Sequence, residues 1–214
     1  MDVHYWNSMM TELLRQVGLL FDWLQVTKEK KQILASITGV VSNCATSADP
    51  AKQNFVLKEF IHHVEPHLDQ ILACDPAFLH EKLDLMPLFK EVHMSEYIPR
   101  IPEEQRASLM QFLRGLAIQG IVILFFDPSI LQKIQGIFSN ASQPPKPTDM
   151  MLLISEITGK TRTGGPIIQR PDLIARIFPY LLGDLNALPE GQEKNMAQTV
   201  LQMATAMAPQ RQLK

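Results

Sequence analysis

The sequence predicts an all-α protein: an irregular multi-helix bundle of about 8–10 helices, with a smaller C-terminal helical part beyond a proline-rich linker. Apolar residues recur with a helical period of 3.6 over long stretches. Asp-Pro punctuates the chain at Asp49-Pro50, Asp75-Pro76 and Asp127-Pro128, each time ahead of a helical pattern. Strand alternation is almost absent: the β-branched run Ile121-Val122-Ile123 ends a long helical pattern and is followed by Asp-Pro.

Trp6, Met9, Met10, Leu13, Leu14, Val17, Leu20, Phe21 and Leu24 form one apolar stripe, with Thr11, Arg15 and Asp22 opposite, so the chain opens with an amphipathic helix. A second helix is expected from Lys28, carrying Ile33, Leu34, Ile37, Val40 and Val41. At each Asp-Pro, the aspartate can accept bonds from free first-turn amides, and a proline at the first helical position loses no hydrogen bond. Pro102-Glu103-Glu104 and Pro171-Asp172 place acids at the positive end of a helix dipole. Helices are therefore expected near 50–74, kinked at Pro66, and near 76–86, 87–95, 102–126 and 128–139. Pro144, Pro145 and Pro147 break the pattern, and helices resume near 149–158, 171–184 and 190–208. The expected organisation is an N-terminal bundle (1–139), a linker (140–148) and a C-terminal helical part (149–214), compatible with docking on the first.

At 214 residues, 46% apolar and 20% charged, the chain has the composition of a folded domain rather than a disordered one. Its 20 basic and 22 acidic residues give a net charge of −2, which disfavours a protein that holds nucleic acid through its phosphates. Two unclustered cysteines, Cys44 and Cys74, point to a reducing compartment, the cytoplasm or its equivalent. The first residues carry no basic, small-residue pattern of a secretory signal. The most apolar run, Leu116 to Phe126, falls short of the roughly 20 residues of a membrane span and reads as a core helix, so no transmembrane segment is expected.

Few motifs converge on chemistry. His63 and His67 stand at i and i+4, a spacing able to chelate a transition metal, but they supply only two ligands, and no metal or other cofactor is expected. Gly159-Lys160-Thr161 resembles the end of a phosphate loop, yet its opening glycine would fall on Ile154 and a helix precedes it. What remains is a loop in which Lys160 and Arg162 could hold an anion. Pro144-Pro145-Lys146-Pro147 contains a P-x-x-P and reads as a linker. No nucleophile elbow or Cys-His signature is present, so no catalytic residue is named. Leu19, Trp23 and Val26 lie off the main stripe of the first helix, which suggests a second, partner-facing surface.

Ile71-Leu72-Ala73-Cys74-Asp75-Pro76-Ala77-Phe78-Leu79, the short Leu85-Met86-Pro87-Leu88-Phe89-Lys90 helix, Met110-Gln111-Phe112-Leu113-Arg114-Gly115-Leu116 and Leu152-Leu153-Ile154-Ser155-Glu156-Ile157 resemble an uncharacterised all-helical family of large DNA viruses of algae and protists, over roughly residues 55–185. The resemblance implies a helical fold and a viral setting, in the virion or the infected-cell cytoplasm. The expected function is a non-enzymatic interaction or structural protein with a protein partner or self-association. Two alternatives stand beside it: a metal-binding helical-bundle enzyme using His63 and His67, and nucleic-acid binding through a local patch of Lys28, Lys30, Lys31, Lys160, Arg162 and Arg170.

Overall fold

The computed structural model describes residues 2–125, together with Arg170, Asp172, Leu173, Arg176, Ile177 and Tyr180. Expectations for the proline-rich linker, for Lys160 and Arg162, and for the helices near 128–139, 149–158 and 190–208 fall outside these residues. Among the described residues the protein is all-α, with no strand. Backbone contacts divide the chain into two compact units, Met1–Gly120 and Ile121–Lys214. The division falls inside a long helix.

Helix α1 (Val3–Trp23) starts where the Asp2 carboxylate accepts a bond from the Tyr5 amide (2.9 Å). Trp6, Met10, Leu13, Leu14, Val17 and Phe21 are buried along it, as the apolar spacing requires. Met9 and Leu20, at the edges of the stripe, are only half-buried. The helix closes on Gln25, a non-glycine residue in the left-handed region (φ 54°). There the Gln25 amide bonds the Asp22 carbonyl (3.2 Å) and the Val26 amide bonds the Phe21 carbonyl (3.0 Å), the paired closure of a Schellman motif. That turn throws Val26 back into the core beside Phe21, so the expectation that Val26 shares an outward face with Leu19 and Trp23 is corrected.

Helix α2 (Lys28–Ala45) packs along α1 as a helical hairpin, with Lys31 paired to Asp22 (2.6 Å) near the turn. The expected long helix over 50–74 is instead four pieces: α3 (Pro50–Gln53), α4 (Phe55–Val64), a 3-10 turn (Glu65–His67) and α5 (Leu68–Leu72). Asp49 caps α3 through the Ala51 amide (2.9 Å), and Asn54 ends it by donating to the Pro50 carbonyl (2.8 Å). Pro66 has no amide hydrogen, so the helical ladder cannot run through it. A second Schellman closure follows at Cys74 (φ 52°), and Asp75 then accepts from the Ala77 amide (2.9 Å) to start α6 (Ala77–Glu81).

The expected helix over 87–95 is also corrected. Only α7 (Pro87–Lys90) is α-helical, and 3-10 turns follow at Met94–Glu96 and Ile98–Arg100. Asp84 causes the break: its carboxylate binds both the Ser95 amide (3.1 Å) and the Ser95 hydroxyl, and His93 takes a left-handed conformation (φ 50°) to bring Ser95 there. Helix α8 (Glu103–Phe125) matches the expected 102–126. Within the first unit, the fully buried Trp6 indole donates to the Leu116 carbonyl of α8 (2.9 Å) and meets Phe60 of α4 edge-on (5.4 Å). This contact joins α1, α4 and α8. In the second unit, Arg170 forks onto Asp172 (2.9 and 2.8 Å), holding that carboxyl below its ordinary range, and lies over the Phe125 ring.

Candidate functional site: an apolar groove on α2 and α4

The sequence gives α2 a wide stripe, but α1 covers only part of it. Leu34 and Val41 are buried, Ile33 and Ile37 are half-buried, and Val40 is 55% exposed. On α4, Phe55, Val56 and Leu57 are consecutive, so their side chains fan over about 200° of a helix and cannot all face one core. Val56 and Leu57 turn inward and Phe55 remains 55% exposed. These surplus apolar side chains, with Met86, Pro87 and Leu88, line a groove of about 230 Å³. Its walls are Ile37, Val40 and Val41 from α2, and Phe55, Val56, Glu59, Phe60 and His63 from α4.

Glu59 and His63 are the only polar side chains in that lining. Phe55, Glu59 and His63 stand at i, i+4 and i+8, and so follow one line along α4. His63 Nδ1 lies 2.8 Å from the Glu59 carbonyl, which can only accept; Nδ1 therefore carries the hydrogen. In the neutral ring, Nε2 is then an acceptor. The sequence reading missed this groove, although two signals for it were present: the width of the α2 stripe, and the three successive apolar residues at the start of α4.

Among the described residues, the other sequence-selected residues do not gather into a single site. Leu19 and Trp23 are exposed (51% and 60%) one turn apart on α1, while Val26 is in the core. His63 lies in the last turn of α4 and His67 ends the 3-10 turn at Pro66, so the two are not on successive turns of one α-helix. His67 packs near Phe78, and His80 Nε2 lies 3.4 Å from Arg106. Among the described residues no three His, Cys, Asp or Glu side chains gather as a metal site. Of the basic run, Lys31 pairs with Asp22, and Lys30 pairs with Glu96 (2.9 Å) while lying over the Tyr97 ring. That pairing holds the Glu96 carboxyl below its ordinary range. Partial burial pulls the Lys30 ammonium down, but its bonds to Glu96 and Tyr97 outweigh this and leave it raised. Arg15 and Gln16 hold Glu12 on the outer face of α1 at about 2 through hydrogen bonds.

Cys44 and Cys74 are both free thiols. Helix α8 is long and apolar enough to cross a membrane by length and composition, although extending the apolar run backward from Leu116 brings in Arg114 and Gln111. Leu109, Met110, Leu113, Leu116 and Ala117 on that helix are buried within the protein.

The fold and this surface define a helical protein with an apolar groove and no assembled reactive constellation among the described residues. Comparisons with protein-family models, with curated proteins and with solved structures give no match.

Proposed function

We propose that this chain is a non-catalytic interaction protein that docks a protein partner through the groove between α2 and α4. The observation that carries the reading is the groove itself. Val40 and Phe55 stand more than half exposed at a concavity whose lining also includes the buried Val41, Val56, Phe60 and Met86, so water there contacts apolar surface on several sides at once. Its volume of about 230 Å³ lies below the roughly 300–1,000 Å³ of small-molecule sites and suits the anchor side chain of a partner. In this reading α8 is the core helix of a soluble protein, and the chain works in a reducing intracellular compartment, in keeping with two free thiols. The viral setting implied by the resemblance is part of the same proposal.

A second surface is supported by Leu19 and Trp23, whose adjacent exposed side chains form a separate apolar face on α1. The test of the groove is a pull-down with the native full-length chain beside a Val40→Asp/Phe55→Ser variant, read by mass spectrometry. A specific partner retained by the first and lost by the second, with an unchanged urea midpoint, is the expected result. Partners retained equally by both would refute groove docking.

A further inference from the structure

Resting on the groove reading above, we propose that the groove selects an amphipathic helix carrying a large apolar anchor with a lysine or arginine one turn away. The apolar part of the site is the mouth formed by Val40, Phe55 and Leu88. The polar part is narrow in its chemistry. Glu59 offers an exposed carboxylate that pairs with no cation among the described residues, and the Nδ1 hydrogen of His63 is engaged by the Glu59 carbonyl, so that its Nε2 is an acceptor in the neutral ring. Both groups accept hydrogen bonds, and one is anionic. Their complement is a cationic donor, an ammonium or a guanidinium. An acidic residue there would meet Glu59 with like charge, and a neutral apolar residue would strip water from the carboxylate without replacing it.

The spacing specifies the helix. Phe55, Glu59 and His63 advance in steps of four residues along α4, about 6 Å each at 1.5 Å rise per residue. A helix lying alongside α4 steps its own i and i+4 side chains by the same distance. An anchor opposite Phe55 and Val40 therefore sets the next residue on that face opposite Glu59 and His63.

The probe is a displayed library of helical peptides with one randomised face, selected on the full-length chain, with dissociation constants measured for the enriched peptides. The expected motif is Phe, Leu or Trp with Lys or Arg four residues away. Its binding should be lost in Val40→Asp and weakened about ten-fold in Glu59→Lys, as for a charge pair turned repulsive. Glu59 and Val40 are both exposed, so circular dichroism and the urea midpoint should show the variants folded. A reciprocal exchange completes the test: changing the peptide's Lys or Arg to Glu should restore binding to Glu59→Lys. If the selected peptides need Val40 but are indifferent to Glu59→Lys, the cation rule is overturned and groove docking stands. If no selected peptide depends on Val40, both fall.

Discussion

Among the described glycines, Gly120, near the end of α8, is where added side-chain bulk should hurt most. A β-carbon built there would lie 2.8 Å from both Ile61 Cδ1 and Leu57 Cδ1, and 3.1 Å from Ile61 Cγ1. Carbon atoms settle at about 3.5–4.0 Å, so the methyl would intrude on two buried side chains of α4. Gly39 in α2 has nothing within 4 Å of the same position. Both glycines are inside helices, where alanine is favoured by about 0.8–1.0 kcal/mol. The helical gain therefore cancels between Gly120→Ala and Gly39→Ala, and their difference isolates overpacking, about 1–3 kcal/mol. Gly39→Ala should come out more stable than the parent by nearly the full helical term, and Gly120→Ala level with it or less stable by up to about 2 kcal/mol. Urea unfolding followed by tryptophan emission measures both, because Trp6 packs against the α4 residue Phe60. Trimming the obstacle supplies an internal check. Ile61→Val costs about 0.5–1.5 kcal/mol in the parent and should cost less, or help, in Gly120→Ala, where it removes one clashing methyl. Equal midpoints for the two alanine variants would refute the close approach of α8 to α4.

Three further outcomes are expected. Leu19→Ser/Trp23→Ser should change stability by less than about 1 kcal/mol while reducing association in light scattering; a large stability loss with unchanged association would make that face internal. Trp6→Phe keeps an aromatic side chain but removes the indole donor to the Leu116 carbonyl and leaves space in a dry site, costing about 1–3 kcal/mol by urea titration, and a neutral result would count against the bond. Lys30→Met tests the raised ammonium and the lowered Glu96 carboxyl. A depressed carboxyl contributes stability above its ordinary range and loses it as pH falls through the folded value, so the variant should lose more stability near neutrality than in acid; a pH-independent loss would assign the effect to the Tyr97 ring contact instead.

How far the sequence could be read depended on whether local pattern or a distant side chain decided each segment. Helix α1 was legible because its stripe is long and single-faced, and α8 because acids, period and apolar run agree over 23 residues. The Asp-Pro starts at residues 49 and 75 were legible because a cap is a local bond. The segment after α7 was not legible, because its path is set by Asp84 reaching Ser95, eleven positions on. Val26 was misplaced because Gln25 ends the helix in a conformation more typical of glycine, and a wheel drawn through that residue points the wrong way. The groove was half legible. The stripe of α2 declared an apolar face, but its exposed share depends on how far α1 reaches across it, which no periodicity encodes.

The bond from Trp6 to Leu116 spans 110 positions of chain, and that separation bears on how the protein is made. At about 5–20 residues per second, a ribosome delivers the acceptor roughly 5–20 s after the donor. Through that interval α1 has emerged with its indole and its deepest apolar residues lacking their closing partner, while α2 can shelter only the side facing it. The nascent chain should therefore present apolar helical surface to holding chaperones until α8 emerges. A truncation that stops translation before residue 116 should stay bound to them longer than one that stops beyond α8.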